Sequence, residues 1–351
     1  MRRPSLRRRI EAAWYGDPPG TAWLAPLGAL YAGTMALRRH AYAAGVLRTE
    51  RLPVPVIVVG NLTVGGTGKT PVVGWVVERA RACGFRPGIV ARGYGGRVGA
   101  GPHRVQAGDP ASLVGDEPLL HARGTGAPVA VGADRPAAAR LLVAAGCDLV
   151  IADDGLQHLA LGRDRELVVV DGERGAGNGR VLPAGPLREP WSRLAASDLV
   201  LVNGGGERAV TWPAGVAPER IDLVADTADA FGGGARVPLA QFAGRTVRAL
   251  AGIGNPARFH RLLAAHGLRV EPVMVDDHGR AAPADLAGSA PLLMTAKDAV
   301  KYAPADRPAG ADWWVVPVAV RASAGAAAGL DRLLAGLRPG AADQKPAGPE
   351  R

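Results

Sequence analysis

The chain has 351 residues, 48% hydrophobic and 21% charged, with a formal net charge of +10. Those totals are those of a folded protein with a sizeable core, divided between two domains, and 49 glycines and 29 prolines predict many turns. Two cysteines, Cys83 and Cys147, exclude a disulfide framework, and aromatic residues at 5% give no stacking platform for nucleic acid; the positive charge suits an anionic partner such as a nucleotide or a phospholipid surface, and no nucleic-acid partner is expected.

The N-terminus, Met1-Arg2-Arg3-Pro4-Ser5-Leu6-Arg7-Arg8-Arg9, is basic, and an apolar segment from Thr21 to Leu37 follows, ending at Arg38-Arg39-His40. A signal peptide is one reading, although arginines flank the segment on both sides. A spanning helix is a second, at the lower limit of length and interrupted by Pro26, Gly28 and Gly33. A buried helix of the first domain is a third. The preferred reading is a membrane-interface segment over residues 1–45, with Trp14, Tyr15, Trp23 and Tyr31 at headgroup depth and arginines on lipid phosphates.

The β-branched run Val56-Ile57-Val58-Val59 predicts a buried parallel strand. It turns into Gly60-Asn61-Leu62-Thr63-Val64-Gly65-Gly66-Thr67-Gly68-Lys69-Thr70, and then into a helical segment with Val72, Val73, Trp75, Val76 and Val77. Strand, glycine loop and helix in that order make a phosphate cradle, because backbone N–H groups curl round an anion at a helix N-terminus. The candidate nucleotide contacts are Thr63, Val64, Gly65, Gly66, Thr67, Gly68, Lys69 and Thr70, with Lys69 on the β- and γ-phosphates and the Thr70 hydroxyl on Mg²⁺. Thr63 stands where the usual pattern has its first glycine.

Farther on, Pro87 to Ala91 reads as a strand running into Arg92-Gly93-Tyr94-Gly95-Gly96-Arg97, and Gly115-Asp116-Glu117-Pro118 opens a helix, where two acids could be simple N-terminal capping. Asp148-Leu149-Val150-Ile151-Ala152-Asp153-Asp154 has the form of an apolar strand ending in Mg²⁺-holding acids, with Gly155-Leu156-Gln157-His158 behind it. Strands at Glu166–Asp171 and Ala196–Asn203 flank a glycine- and proline-rich loop, Gly175 to Pro190, whose Arg180 and Arg188 read as phosphate-facing. The alternation from Val56 to Asn203 predicts an α/β fold, a P-loop NTPase-like, doubly wound, mostly parallel sheet. A linker over 211–245 leads to a second, smaller α/β domain at 246–338, with its last strand at Trp313–Val318, and 339–351 reads as a disordered tail; the P-loop domain is 46–210.

In order along the chain, Gly60 to Pro71, Arg92 to Gly96, Val114 to Pro118, Asp153-Asp154-Gly155-Leu156-Gln157-His158, Gly177-Asn178-Gly179-Arg180 through Arg188-Glu189-Pro190, Ala251 to Pro256, Asp277-His278 and Met294 to Lys301 resemble the tetraacyldisaccharide 4′-kinase family. The Asp-Asp-Gly-Leu-Gln-His run and the Gly-Asn-Gly-Arg to Arg-Glu-Pro loop carry most of the specificity. Two departures stand out: Ala296 occupies a position where the family commonly has an acid, and Gly279 follows His278 where a histidine or aromatic is common.

The resemblance implies ATP- and Mg²⁺-dependent phosphorylation of the 4′-hydroxyl of tetraacyldisaccharide 1-phosphate, an acylated disaccharide lipid, at the cytoplasmic face of the inner membrane. It implies two α/β/α domains joined by a strand-like linker, and an acid–histidine pair at Asp116 and His278, with Lys69 the third catalytic group. Asp153 and Asp154 join Thr70 as metal candidates; Arg92, Gln157, His158, Asn178, Arg180 and Arg188 are candidate substrate contacts. A membrane-associated ATPase switch is the alternative, although its signature lysine would fall at Val64, and a P-loop kinase of another acceptor is a further one.

Overall fold

The structure, a computed structural model, describes residues 6–16, 20–99, 101–205, 210–275 and 279–337. Asp277, His278 and the expected tail at 339–351 lie outside the described residues. Along the chain come α1 (Leu6–Tyr15), α2 (Ala25–Ala43), β1 (Val56–Gly60), α3 (Lys69–Ala82), β2 (Pro87–Ala91), β3 (His103–Val105), α4 (Ala111–Val114), α5 (Asp116–Thr125), β4 (Val129–Val131), α6 (Arg135–Ala144), β5 (Leu149–Asp153), β6 (Arg165–Asp171), β7 (Leu199–Asn203) and β8 (Glu219–Val224). The second half adds β9 (Thr227–Ala230), β10 (Arg236–Pro238), β11 (Thr246–Leu250), α7 (Pro256–Ala265), β12 (Arg269–Val273), β13 (Leu292–Thr295), α8 (Ala296–Ala299), β14 (Trp313–Val316), β15 (Ala319–Ala322) and α9 (Ala324–Ala335).

Nine strands form the first sheet, in the order β15-β8-β7-β6-β1-β5-β2-β4-β3, parallel except for β3 and β15 at its edges. β1 lies between β5 and β6, the point where the chain's strand order reverses, and the loops after β1, β5 and β6 therefore open on one crevice. Its residues are apolar on both faces because both are covered. Ile57 and Val59 pack with Val72, Val73 and Val76 of α3; Val56 and Val58 pack with Ala138, Ala139 and Leu142 of α6. This is the expected mostly parallel, doubly wound sheet.

Six strands form the second sheet, in the order β10-β9-β14-β13-β11-β12. Four are parallel, and β9 and β10 close one edge antiparallel. Its inner face meets Phe259 and Leu263 of α7.

The division of the chain between the sheets differs from the expected boundaries. The chain leaves the first sheet after β8, within the segment read as linker, and returns to it at β15. β14 ends at Val316, and the segment expected to finish the smaller domain instead supplies β15 and α9 to the first sheet. Ala326, Leu330 and Leu334 of α9 lie in the same core cluster as α3. The physical reason is that the edge strand β8 has unpaired backbone groups, which β15 satisfies over four registered pairs from Ala319–Val224 to Ala322–Ile221. The strand-like connection implied by the resemblance is thus a two-way ribbon, β8 to β9 outward and β14 to β15 back.

No helix of the described residues is long and apolar enough to cross a membrane. α2 instead buries Gly28 against Val181 and Ala184 and turns Leu27, Leu30 and Leu37 outward, with Trp23 exposed in the 3-10 turn just before it. Trp14 departs from its expected place at headgroup depth: it is buried, and its indole Nε1 donates to Pro183 O (3.1 Å). Tyr15 also turns inward, with the Arg174 guanidinium 5.2 Å from its ring centre.

Leu330 of α9 is fully buried. Leu330→Ala is expected to cost about 3 kcal/mol of unfolding free energy, measured by urea denaturation; a loss under about 0.5 kcal/mol would place α9 outside the first core.

Candidate active site

The loop after β1 is fixed from both sides. Arg188 N donates to Leu62 O (2.6 Å), Val64 N donates to Pro186 O (2.8 Å), and Thr63 and Leu187 form an antiparallel bridge. Buried Asn203, at the end of β7, donates from Nδ2 to Thr67 O (2.9 Å). Gly68 caps α3 with φ 94°, a left-handed conformation that favours glycine. Leu62 O and Val64 N are thus spent on the 178–190 loop, Thr63 O accepts from Asn61 Nδ2 (2.7 Å), and the stretch that can curl round an anion narrows to Gly65–Thr70, at the N-terminus of α3.

Lys69 opens α3. Its Nζ donates to Asn61 Oδ1 (3.1 Å) and lies 3.7 Å from Asp154 Oδ1. Arg188 Nη1 reaches both Asp154 oxygens, at 2.9 and 3.0 Å. Burial would raise the Asp154 carboxyl, but Lys69, Arg188 and Arg135 together hold it at about 2. Asp154 also has φ 49°, which places this non-glycine residue in the left-handed region and turns its side chain out of the β5 direction.

Asp153 stays within β5, 3% exposed. Its Oδ2 meets His121 Nε2 at 2.9 Å, and its buried Oδ1 has no hydrogen-bond partner among the described residues. No cluster of three or more metal-ligating side chains exists among the described residues. Mg²⁺ in phosphoryl-transfer sites needs none, since one or two carboxylates and the phosphates suffice. The orphaned Asp153 Oδ1 and the ionised Asp154, with Thr70 in the first turn of α3, fit that donor set.

Asp116 and Glu117 form the first turn of α5, after Gly115. Burial would raise the Glu117 carboxyl, but Lys297 and Lys69 outweigh it and the net shift is downward. Lys297 Nζ donates to Glu117 Oε1 (3.0 Å), and Lys301 Nζ lies 3.8 Å from Asp116 Oδ2. Both lysines come from the segment that follows β13 of the second sheet, Lys297 within α8 and Lys301 just after it. A second contact joins the sheets at the phosphate loop itself: a Cβ built on Gly254 would lie 3.1 Å from Gly66 Cα and 3.3 Å from Gly65 C. Arg174 Nη2 donates to Gly254 O (3.2 Å), and Arg258 Nη2 to buried Asp171 Oδ1 (2.8 Å).

The remaining sequence-predicted residues divide. Gln157 donates to Glu189 Oε1 (2.8 Å) and lies beside Arg188. Arg92 lines an open cavity of about 260 Å³ with Tyr94, Gly132 and Ala133. Burial and Arg135 push the His158 imidazole below its ordinary value, so it is neutral at pH 7. Asn178 is committed to its own loop: Nδ2 donates to Ala184 O (2.8 Å) and Thr21 Oγ1 (3.2 Å), and Oδ1 accepts from Arg180 N (3.1 Å). Arg180 carries a buried Nη1 with no partner among the described residues.

Sequence reasoning missed Arg135, His121, Asn61, Asn203, Lys297 and Lys301. Arg135 starts α6, is 2% exposed, and its Nε and Nη1 have no partner among the described residues, an arrangement that suits a bound anion. Its sequence signal was present: an Asp134-Arg135-Pro136 helix start directly after the strand at 129–131.

A glycine loop on the central strand, acids at the end of the neighbouring strand and a second sheet closing over both define a P-loop phosphotransferase. The family model described as tetraacyldisaccharide-1-P 4′-kinase matches residues 20–335. A tetraacyldisaccharide 4′-kinase of Alkalilimnicola ehrlichii is 52% identical over 318 residues, 89% of this chain and 92% of that one. One of Stenotrophomonas maltophilia is 46% identical over 331 residues, 93% of this chain and 96% of that one. The crystal structure of an "apo" form of LpxK from Aquifex aeolicus in complex with ATP superposes with a TM-score of 0.76 at 26% identity, covering 90% of this chain and 99% of that one. The chain belongs to the tetraacyldisaccharide 4′-kinase family, and is a kinase.

Because the folded value of Asp154 lies below the unfolded value of about 3.9, its contribution to stability is complete above about pH 4 and is lost as the pH falls towards 2. Arg188→Met is expected to raise the Asp154 carboxyl, read by carboxyl ¹³C NMR titration, and to narrow the stability gap from wild type as the pH falls through that window. An unmoved carboxyl would remove Arg188 as its partner.

Proposed function

We propose that this chain transfers the γ-phosphoryl group of ATP to the 4′-hydroxyl of tetraacyldisaccharide 1-phosphate, working at the cytoplasmic face of the inner membrane. The observation that carries the reading is the convergence on one helix start of Asp116 and Glu117 with the Lys69–Asp154 pair and with two lysines from the second sheet. The relatives bearing this activity in their names cover nearly all of the chain.

The amides of Gly65–Thr70 and the Lys69 ammonium hold the ATP phosphates. Thr70, Asp153 and Asp154 would hold Mg²⁺, which when bound neutralises charge on the phosphate oxygens. A sugar hydroxyl attacks only when its proton has an acceptor, and Asp116 takes that proton, with His278 as its partner. Arg135, with its buried unpartnered Nε and Nη1, and Arg92, on the wall of the open cavity, suit an anionic group of the acceptor. Phosphoryl transfer needs positioning and charge neutralisation more than covalent help, and closure of the second sheet over Gly65 and Gly66 supplies both.

An acylated acceptor keeps its chains in the bilayer, so the enzyme has to come to the surface. The exposed stripe Trp23, Leu27, Leu30 and Leu37, continued by Val46 and Leu47, suits that contact, and Arg48 and Arg51 lie exposed beside it.

Transfer of ³²P from γ-labelled ATP to tetraacyldisaccharide 1-phosphate tests the reaction. Lipid label is expected with the wild type, and a loss of at least about 100-fold with Lys69→Ala or Asp116→Asn. ATP hydrolysis without lipid label would point to another acceptor or to a switch. The paired change Leu27→Glu and Leu30→Glu is expected to abolish co-sedimentation with anionic phospholipid vesicles while leaving ATP affinity within about twofold; unchanged sedimentation would move the membrane contact elsewhere.

A further inference from the structure

The segment from Thr295 to Lys301 carries buried charge to which the phosphoryl transfer above assigns no step. Asp298, 1% exposed, accepts three hydrogen bonds: from Gly252 N (2.9 Å), from the Thr295 hydroxyl (2.6 Å) and from Lys301 Nζ (2.8 Å). Lys301 donates a second bond to Gly279 O (2.9 Å). An ammonium has three donors in fixed tetrahedral directions, so two bonds to the second sheet's own groups orient the third. That side faces Asp116 Oδ2, 3.8 Å away, with the lysine side chain 5% exposed and the carboxylate 15%.

An exposed pair at this distance would contribute almost nothing. Here the ammonium is out of water and its position is fixed by two bonds, so it also fixes where the Asp116 carboxylate rests against the second sheet. One turn earlier, Lys297 makes the corresponding contact with Glu117. Asp298 also ties this lysine to Gly252, two residues before the Gly254 that lies against Gly66. One buried carboxylate–ammonium pair therefore connects the loop over the phosphates to the base.

We infer that Lys301 is a positioning residue for phosphoryl transfer: locked onto Asp298, its ammonium sets the Asp116 carboxylate at the acceptor hydroxyl as the second sheet closes on the phosphate loop. The inference rests on Asp116 being the base. A misplacement of about 1 Å at a reacting group costs on the order of 100-fold in rate.

The test is steady-state kinetics of the full chain with ATP and tetraacyldisaccharide 1-phosphate, for Lys301→Met, Lys301→Arg, Asp116→Asn and the double variant Asp116→Asn with Lys301→Met. Lys301→Met is expected to lower kcat about 100-fold while KM for ATP stays within about threefold, and Lys301→Arg to recover at least about tenfold of the loss. In the Asp116→Asn background, Lys301→Met is expected to add less than about threefold, because both act on one step. Losses that multiply, or a KM for ATP that rises as far as kcat falls, would assign Lys301 a merely structural role and overturn the inference. Should Lys301→Met fail to bind ATP, Lys301→Gln keeps an N–H donor for Asp298; its expected result is the same kcat loss, and near-normal kcat overturns the inference. Full turnover by Lys301→Met overturns the inference alone, whereas full turnover by Asp116→Asn overturns the base assignment and the inference with it.

Discussion

Lys69 is a cation held in place before any phosphate arrives. Asn61 Oδ1, one residue past the end of β1, accepts a hydrogen bond from its ammonium, and Asp154 balances its charge from the end of β5. These two strands are neighbours in the sheet, so the geometry of the pair is set by strand register, Val59 opposite Asp153, rather than by loop conformation. From Asp154 the polar contacts run outward through Arg188, Gln157 and Glu189 to Arg39 of α2. A charge inside the crevice and a helix on the surface thus belong to one network, and a network of this kind holds its members only while all are satisfied.

The second sheet meets this network at its open side. Parallel strands end in loops at one edge, and in both sheets that edge carries the contacts between them. The approach of Gly254 to Gly66 is backbone against backbone, closer than any side chain at 254 would permit. Lys297 and Lys301 reach across to the two acids that begin α5, which places opposite charges on the two sides of the crevice. Arg258 and Arg261 of α7 add pairs to Asp171 and Glu173 beside it.

Much of the fold was legible in the sequence. The runs at 56–59, 149–153, 166–171 and 199–203 are apolar on both faces and end in glycine, acid or asparagine, which is how a buried parallel strand that feeds a site reads. The strands at 219–224, 227–230 and 319–322 were not legible as such. They are short and only partly buried, they lie at or next to the sheet edges, and each takes a pairing partner far away in sequence, β15 for β8 and β14 for β9. Of the site, Lys69, Asp154 and Arg188 stood in recognisable segments and meet in space. His121 lies on a helix with no motif, and the helix start around Arg135 names no ligand, so only the fold brings the two to the acids. Trp14 reads as an interfacial aromatic by type, yet a carbonyl in the 178–190 loop satisfies its indole and draws it inward.

The outward and returning strands between the sheets have a consequence for how the chain is made. The first sheet contains segments from Val56 to Val224 and then again from Ala319, with the whole second sheet between them. On a ribosome, β8 emerges with one edge unpaired and the α3 face lacking Leu330 and Leu334, and stays so while roughly ninety further residues are synthesised, a delay of about 5–20 s at ordinary elongation rates. During that interval the smaller sheet can fold as a separate unit, and only afterwards does α9 close the larger core. The catalytic half is therefore completed second, although it is begun first.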